Sequence, residues 1–314
     1  MTSSRADAAA EWIAALHDEV TGFFEALEGG GRFREDRWER PGGGGGVTRV
    51  LTDGITFEKA GVNRSAVSGP LAAGMLERMG GVASNASRFF ATGLSLVVHP
   101  RSPLVPTVHL NVRYLEITDD AGSVVDAWVG GGTDLTPTYP FAEDAVHFHR
   151  TLRVLSDRFD PSFYPRFKEW CDQYFVNLHR GGERRGVGGI FFDHLRDNQP
   201  PGVGLDRWLA YADAVARVLP TAYQPIVERR RALPWGERER RFQLLRRGRY
   251  AEFNLVHDRG TVFGLQTAAR IESVLMSLPP LAAWEYDPEF PEGGFERELL
   301  QMLEPRDWAG DATP

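Results

Sequence analysis

A row of polar side chains on one predicted strand is the clearest chemical signal in the sequence. Residues 108–117 read VHLNVRYLEI, and because strand side chains alternate between faces, His109, Asn111 and Arg113 share one face. The other face of this strand is apolar and is expected to cover the core. An imidazole, an amide and a guanidinium in a row could exchange protons with a ligand and bind its carboxylates. On a solvated outer face the same row would need no function, so both interpretations stay open.

Histidines are concentrated in one part of the chain, and six of the eight lie between residues 99 and 194. On a neighbouring strand candidate, 94–99, Ser95 and His99 share one face, so strand pairing could bring His99 close to His109. Neutral imidazoles ligate metals, and a three-histidine metal centre is therefore conceivable. The spacing matches no zinc motif, however, and HExxH is absent. Each histidine, taken alone, is better explained by a structural role.

Three further segments place charged side chains beside glycine or other small residues. In GGGTDLTP, residues 130–137, the glycines would let the backbone approach a ligand, and Asp134 follows in a predicted turn. Its carboxylate either caps that turn or accepts hydrogen bonds from ligand N–H groups. The turn HDRG, with Asp258 and Arg259, offers a similar choice. Arg270 lies in QTAARIES, where a guanidinium among small residues suits a carboxylate partner, although a surface arginine is the simpler interpretation.

The predicted elements indicate how these residues are positioned. Residues 8–28 carry apolar side chains at helical spacing, and the glycine run 42–46 predicts a flexible loop or a close approach of backbone to a ligand. Other predicted strands lie at 94–99, 108–117, 124–129, 242–246, 249–256, 261–267 and 270–277, with one more ending near Asp193, and predicted helices lie at about 142–156, 161–180 and 205–231. Hairpin turns are predicted at 53–54, 247–248 and 258–260. The pattern predicts one α+β domain, 1–314, whose large antiparallel β-sheet is flanked by α-helices on both faces.

Composition excludes several classes of protein. The 314 residues are 42% apolar and 25% charged, which is ordinary for a globular protein, and the net charge of −7 argues against nucleic acid as the main ligand. The arginine-dense segment 228–249 could still hold a small polyanion, or form a solvated face. The single cysteine, Cys171, excludes a disulfide scaffold and fits a reducing, cytoplasmic compartment. The sequence has no run of 18 apolar residues, so no membrane span is predicted, and its start lacks a secretory pattern.

Motifs along nearly the whole chain resemble one family, the oxygen-dependent coproporphyrinogen III oxidases. The matching segments are RPGGGGG, VLTDGITFEKAGVN, LSLVVHP, PTVHLNVR, GGGTDLTP, HFHRT, YPRFKEWCDQYF, GVGGIFFD, PIVERRR, ERERRFQLLRRGRYAEFNLV, DRGTVFGLQT, RIESVLMSLPP, WEYD and PRDW. The resemblance implies oxidative decarboxylation of two propionates of coproporphyrinogen III to vinyl groups. It further implies protoporphyrinogen IX as product, O2 as oxidant, release of CO2 and H2O2, and no flavin, haem or nicotinamide cofactor.

The resemblance also implies roles for individual residues. His109 matches the family's proton donor, and Asp134 matches the aspartate expected to face the pyrrole nitrogens. Substrate contact is implied for Ser95, Asn111, Val112, Arg113, Asp258, Arg259, Gly264, Gln266, Ala268, Ala269 and Arg270. Ligation of a divalent metal, as in bacterial members, is implied for His99, His109, His149 and His179. A homodimer contact is implied through about 250–285.

Two departures from the family pattern affect these expectations. Ala268 and Ala269 stand where bacterial relatives usually carry two glycines, and the added methyl groups could narrow the approach to a propionate. The segment after His179, RGGERRG, is one residue longer than the common pattern, so the turn there is expected to differ. Two other functions remain to be distinguished: a metal-dependent oxygenase acting on another acid, and a non-catalytic tetrapyrrole carrier. Metal dependence is not uniform in the family, so the metal is an analogy.

Overall fold

The computed structural model describes residues 4–71, 85–266 and 270–310, apart from the side chains of residues 263 and 266. Its strands are β1 (Arg34–Glu39), β2 (Gly44–Thr52), β3 (Phe57–Pro70), β4 (Arg88–Pro100), β5 (Thr107–Thr118), β6 (Val124–Thr136), β7 (Val176–Asn177), β8 (Glu183–Arg184) and β9 (Gly188–Arg196). Seven of them form an antiparallel sheet in the spatial order β1-β2-β3-β4-β5-β6-β9, and β7 pairs with β8. The predicted α+β class with a large antiparallel sheet is confirmed.

Helices make up much of the remaining chain. They are α1 (Arg5–Glu28), α2 (Ala142–Asp157), α3 (Phe163–Tyr174), α4 (Leu205–Ala216), α5 (Leu219–Ala222), α6 (Gln224–Arg230), α7 (Glu237–Val256), α8 (Arg259–Gln266), α9 (Ile271–Leu275) and α10 (Phe295–Met302). The predicted helices before residue 232 are confirmed, although 161–180 is helical only to Tyr174 before a short 3-10 turn, Leu178–Arg180. The predicted stretch 205–231 forms three helices, because Pro220 and Pro225 each start a new one.

The boundaries of α1 follow from its capping residues. The Ser4 hydroxyl accepts a hydrogen bond from the Asp7 backbone N–H at 3.1 Å, and the Asp7 carboxylate accepts the Ser4 backbone N–H at 3.3 Å. This capping box starts the helix a few residues before the predicted position. The helix ends at Gly29, whose φ of 85° suits glycine.

One face of the sheet is apolar and forms the core with α1. Val62, Leu96 and Leu110 lie side by side on β3, β4 and β5 and are fully buried. From α1, Phe24 packs edge-on against Phe57 with ring centroids 5.6 Å apart. Burial of side chains of this size contributes roughly 1.5–3 kcal/mol each. Since strand side chains alternate, the residues between them point to the opposite face.

Helix α9 and the segment after it lie over that opposite face. The hydroxyl oxygens of Ser273 and Thr48 are 2.6 Å apart. The Met276 side chain fills the space above Gly61, where a Cβ would lie 2.5 Å from its sulfur. The sheet therefore has helices on both faces, as predicted.

The strand predictions in the C-terminal third are wrong. Residues 242–246 and 249–256 lie in α7, and the described parts of 261–267 and 270–277 lie in or beside α8 and α9. Charged side chains of α7 form ion pairs inside the protein, such as Arg247 with Glu58 at 2.7 Å, and this obscured the helical spacing of its apolar residues. The turns predicted at 247–248 and 258–260 are likewise wrong, because Gly248 lies within α7 and 259–260 begin α8.

Two glycine-rich segments are strands rather than turns or loops. β6 continues through GGGTDLT to Thr136, so Asp134 lies on a strand and not in the predicted turn. Of the glycine run 42–46, the last three residues belong to β2. A Cβ on Gly46 would collide with the Trp38 ring, so glycine is needed there for strand packing rather than for flexibility. The predicted hairpin around Asp53-Gly54 is confirmed between β2 and β3, with a longer turn than two residues.

Candidate active site

Strand register brings the predicted polar residues together on the face opposite the α1 core. His109 of β5 pairs with Asp134 of β6, and Asn111 pairs with Ser95 of β4. Arg113 lies two residues further along β5 on the same side. We call this surface, made of these five residues, the polar face. Four of its members are half-buried, and Asp134 is buried.

The carboxylate of Asp134 is the centre of a buried charged cluster. Its Oδ1 lies 2.7 Å from His109 Nδ1, and Arg185 Nη2 donates to both carboxylate oxygens at 2.8 and 2.7 Å. Asp134 is only 1% exposed and Arg185 only 3%. An ionised carboxylate can only accept, so His109 Nδ1 carries the proton and donates it. This leaves Nε2 of the partly exposed His109 as the nitrogen available to a ligand.

Arg185 is the site residue that the sequence analysis missed. Its guanidinium lies over the rings of Phe175, Tyr250 and Phe253 at 4.1, 4.5 and 5.0 Å. Aromatic faces stabilise a cation held in this way. The residue reaches the site from the connection between β8 and β9, 51 positions after Asp134. The arginine pair in RGGERRG, directly before a predicted strand, is the only sequence signal that could have found it.

Electrostatics keep the Asp134 carboxylate ionised. Burial by itself raises the pKa of Asp134, but the Arg185 guanidinium and the His109 hydrogen bond outweigh it, and the pKa lies below its usual value. The Asp134 carboxylate therefore faces His109 as an ionised hydrogen-bond acceptor. A carboxylate that orients an imidazole in this way sets which ring nitrogen exchanges protons.

Arg113 is held at two points on the polar face. Its Nη1 donates to Asn111 Oδ1 at 2.7 Å, and its Nη2 lies 2.8 Å from Asp193 Oδ2. The Arg113 side chain is about a third exposed, whereas Asp193 is nearly buried. Such a guanidinium can still offer N–H donors to a carboxylate ligand.

Arg270 lies at the far end of the same face. Its guanidinium pairs with Asp36 on the edge strand β1. Asp36 pairs in register with Thr48, and the row continues through β3 to Ser95 and Asn111. Four strand spacings separate β1 from β5, about 19 Å. Arg113 and Arg270 therefore lie at different places along this face of the sheet rather than at one contact point.

The other predicted contacts in the C-terminal third have structural partners. Asp258 accepts hydrogen bonds from a backbone N–H and a hydroxyl in the first turn of α8, both at 2.8 Å. The Arg259 guanidinium lies 5.7 Å from the Tyr174 ring centroid. A Cβ on Gly264 would come within 2.8 Å of the Val274 side chain, so glycine there allows α8 to pack against α9. For these residues, substrate contact stays a prediction.

Four more residues with a predicted substrate contact have no described side chain on the polar face. Val112 is fully buried in the apolar core, so it could meet a ligand only through its backbone. Gln266 ends α8, and its side chain lies outside the described structure. Ala268 and Ala269 also lie outside the described residues. The effect of their methyl groups therefore stays a prediction.

Of the predicted metal ligands, two histidines are fully buried with protein partners. His149 Nε2 donates to the Val187 carbonyl at 3.1 Å, and its Nδ1 accepts from the Tyr164 hydroxyl at 2.9 Å. Burial lowers the pKa of His149 to about 3, so the ring is neutral. His99 Nε2 donates to the Ser277 carbonyl at 2.9 Å.

The remaining predicted ligands also lie in separate surroundings. His179 stacks on His257 with ring centroids 5.0 Å apart and contacts Glu252 at 2.9 Å. His109 is bonded to Asp134. Within 4–71, 85–266 and 270–310, no group of three or more His, Cys, Asp or Glu side chains could hold a metal ion. The register of β4 and β5 places His99 and His109 close together on one face, as predicted, whereas His149 and His179 have other partners, so the four histidines do not converge on one metal centre in the described structure.

Two cavities lie away from this surface. One, of about 450 Å³, is lined by Tyr139, Phe141 and Trp235 among others. The other, of about 490 Å³, lies beside α2, with Arg150 and Arg158 at its rim. Neither contains a residue of the polar face. Judged by volume alone, these two cavities would be better ligand sites than the polar face, but neither contains His109 or Asp134.

In the part of the chain that the structure describes, no helix is long and apolar enough to cross a membrane.

Comparison with known proteins shows the family of this chain. A family model described as Coproporphyrinogen III oxidase matches residues 8–308. Oxygen-dependent coproporphyrinogen-III oxidase, chloroplastic, of Glycine max is 49% identical over 304 residues, covering 94% of this chain and 77% of the relative. Coproporphyrinogen-III oxidase 1, chloroplastic, of Arabidopsis thaliana is 50% identical with the same coverage. Oxygen-dependent coproporphyrinogen-III oxidase of Parasynechococcus marenigrum is 47% identical, covering 99% of this chain and 89% of the relative. This chain therefore belongs to the coproporphyrinogen III oxidase family.

Proposed function

We propose that this chain is an oxygen-dependent coproporphyrinogen III oxidase of haem biosynthesis. It converts two propionate groups of coproporphyrinogen III to vinyl groups and yields protoporphyrinogen IX, CO2 and H2O2. The observation that carries the proposal is the oriented His109 beside Arg113 on one sheet face, in a chain of this family. A polyanionic substrate needs a cationic anchor, and Arg113 supplies one on the polar face.

The reaction requires proton exchange at the site. Each propionate loses its carboxyl carbon as CO2 and gives up two electrons and one proton as the vinyl group forms. O2 takes up two electrons and two protons to become H2O2, so one further proton comes from solvent. We assign this exchange to His109 Nε2, because Asp134 holds the proton on Nδ1.

Asp134 has an indirect role in this proposal. The expectation from resemblance was that its carboxylate faces the pyrrole nitrogens. Both of its oxygens accept from Arg185, and the residue is almost fully buried. A role through His109 therefore accounts for its position better than direct contact. Asp134 orients the imidazole and stabilises its protonated form when the proton moves.

Arg113 on the polar face and Arg270 beside β1 are proposed to bind two propionates. Both are partly exposed, and β5, which carries Arg113, lies about 19 Å from β1, whose Asp36 pairs with Arg270. The α9 segment lies over β2 and β3 between them. Asn111 accepts a hydrogen bond from Arg113, and Ser95 pairs with Asn111 on the neighbouring strand. A protein with net charge −7 needs such local cations to hold a tetra-anion.

O2 is the proposed co-substrate, in line with the words oxygen-dependent in the names of two relatives. No organic cofactor enters the proposal. No step is assigned to a metal, because the predicted histidine ligands do not converge. Arginine pairing and the His109 proton relay are the contributions that the described residues provide.

A homodimer in the cytoplasm completes the proposal. Apolar side chains exposed between residues 255 and 286 support the dimer contact predicted at about 250–285: Leu255, Val256, Leu265, Ile271, Leu281, Trp284 and Tyr286. Exposed apolar surface of this kind is typical of subunit contacts. The single buried, free Cys171 supports a reducing compartment.

Incubation of the pure protein with coproporphyrinogen III tests the activity. Under air, we expect a product lighter by two CO2 and four hydrogens, with one H2O2 formed per CO2. Without O2, we expect no product. Binding without O2-dependent vinyl formation would identify a carrier instead. Loss of activity on chelation, restored by a divalent metal, would favour the metal-dependent oxygenase.

A further inference from the structure

Arg113 is fixed by the Asp193 carboxylate, to which the sequence analysis assigns no role. Asp193, on β9, lies 2.8 Å from Arg113 Nη2 through its Oδ2. Its Oδ1 accepts the backbone N–H of His194 at 2.9 Å. Burial raises the pKa of Asp193, but Arg113 and His194 together hold it well below its usual range, so the group is ionised. Both oxygens thus have donors, and the carboxylate has little freedom to move.

A glycine in β6, Gly130, leaves space for the Asp193 and Arg113 side chains to meet. A Cβ on Gly130 would lie 2.5 Å from Asp193 Oδ1 and 2.8 Å from Arg113 Nε. The β6–β9 register shifts between Val129 and Gly131, directly at this position. Glycine at 130 is therefore required for the close approach of the two charged groups.

His194, the residue after Asp193, donates its backbone N–H to the Asp193 oxygen that does not face Arg113. His194 has a positive φ of 50°, an uncommon conformation for a residue with a side chain. Its ring stacks on Trp128 with centroids 5.1 Å apart and an angle of 18° between the planes. The stacked ring keeps the strained backbone in place, and the His194 N–H is thereby aimed at Asp193.

We infer that Asp193 is a positioning residue, which fixes the Arg113 guanidinium on the polar face so that its free N–H donors meet a substrate carboxylate. The inference rests on the proposed function, because it takes that carboxylate to be a propionate. Asn111 and Asp193 hold one terminal nitrogen each, at 2.7 and 2.8 Å. A guanidinium has five N–H donors, so donors remain for the ligand. Fixing the guanidinium in advance lowers the entropy lost on binding.

A charge-only role predicts the opposite effect of substitution. If Asp193 merely neutralised Arg113, its removal would raise the local positive potential and tighten binding of an anion. If it positions Arg113, removal weakens binding although the net charge becomes more favourable. The Asp193→Asn substitution separates these cases. Arg113 and the His194 N–H use different carboxylate oxygens, and an amide replaces one of those acceptors by an NH2 donor.

The experiment measures binding of coproporphyrin III, a stable fluorescent tetracarboxylate, to the full-length protein. We expect Arg113→Ala and Asp193→Asn each to raise Kd about tenfold, and the double variant to be no weaker than Arg113→Ala alone. Gly130→Ala should raise Kd similarly, because its Cβ displaces the pair. The control is Asp126→Asn, which breaks the pair between Asp126 of β6 and Arg196 of β9 and should leave Kd unchanged. Melting temperatures identify any variant that fails to fold, and only folded variants are compared.

The outcomes separate this inference from the proposed function. Unchanged or tighter binding by folded Asp193→Asn, or additive effects in the double variant, would overturn the positioning role. No binding of coproporphyrin III by the native protein would overturn it as well. Native binding without O2-dependent product formation would contradict only the proposed reaction. In the oxidase assay, positioning predicts that Asp193→Asn raises KM for the porphyrinogen more than it lowers kcat.

Discussion

His109 is the residue on which the proposed chemistry depends. Its Nδ1 is bound to a carboxylate that Arg185 holds in place, so the ring cannot turn without breaking a buried hydrogen bond. Only its other nitrogen is left to exchange a proton on the polar face. The hydrogen bond to Asp134 thereby fixes which ring nitrogen faces a ligand.

Substitution of His109 by Gln should lower turnover far more than stability. Glutamine cannot exchange a proton, and general acid–base catalysis typically accounts for about 10²–10⁴ in rate. We expect kcat to fall about 100-fold or more under air, with little change in melting temperature. His147→Gln is the control, since the His147 ring bonds to the Thr221 carbonyl at 3.0 Å and lies away from the polar face. Equal activity of His109→Gln and the native protein would remove His109 from the chemistry.

Buried neutral histidines should make stability depend on pH. The pKa of His149 is lowered to about 3 and that of His17 to about 4, mainly by burial, from 6.5. Because the folded pKa is the lower one, the unfolded chain binds these protons first. The stabilisation is therefore full above pH 6.5 and is lost progressively as the pH falls toward 4.

Melting temperatures measured from pH 7 to pH 4 test this dependence. We expect the native protein to lose stability over that range, and His149→Gln to lose less of it, because glutamine has no proton to bind. His147→Gln, at a more exposed histidine, should follow the native curve. A His149→Gln curve parallel to the native one would show that His149 does not titrate as its burial requires.

Among the secondary-structure elements, strands and helices could be predicted where the apolar residues followed one clear spacing. The alternation in 108–117 was clear, and the structure has β5 there with the polar row on one face. It failed at 242–256, where α7 directs arginines inward to carboxylates such as Glu58 and Glu183. Those ion pairs depend on distant segments. Local spacing of apolar residues could not reveal them.

Gly248 shows why α7 was misread as two strands with a turn. It is a helical glycine whose Cβ position lies 2.6 Å from the Ala283 carbonyl oxygen. Alanine normally stabilises a helix over glycine by roughly 0.5–1 kcal/mol. Here we expect Gly248→Ala to destabilise the protein by about 1–3 kcal/mol, because backbone must move to make room.

Urea unfolding of two glycine variants checks this explanation. Gly22 of α1 is the matched control, because nothing lies within 4 Å of its Cβ position. Gly22→Ala should therefore stabilise by about 0.5–1 kcal/mol. Stabilisation by both substitutions would mean that the segment around Ala283 does not pack against α7 as described.

At the scale of the whole molecule, the candidate site residues on β5 could be grouped from the sequence, whereas those from the β8–β9 region could not. His109, Asn111 and Arg113 could be grouped because they alternate on one strand. Arg185 and Asp193 could not, since they enter from the β8–β9 region and only the strand order places β9 beside β6. The metal ligands implied by the resemblance, His99, His109, His149 and His179, stay a prediction. Only His99 and His109 are brought close together by the strand register.

The exposed apolar residues near the C-terminus should control assembly. Leu281 is more than half exposed and lies in the segment proposed as the dimer contact. We expect Leu281→Glu to weaken the dimer, because a charge would be buried without a partner. Light scattering should then give the 35.0 kDa mass of one chain, where the native protein gives twice that. Val154→Glu, at an equally exposed apolar residue of α2, should stay dimeric; a monomeric native protein would contradict the proposal.

The location of bound coproporphyrin III in a crystal of the native protein tests the central claim most directly. We predict the macrocycle on the polar face, with carboxylates at Arg113 and Arg270 and the ring within reach of His109. Binding at Arg270 would require its pair with Asp36 to open or to be shared. A macrocycle seated instead in the cavity at Tyr139 and Trp235, or in the one beside α2, would contradict the account.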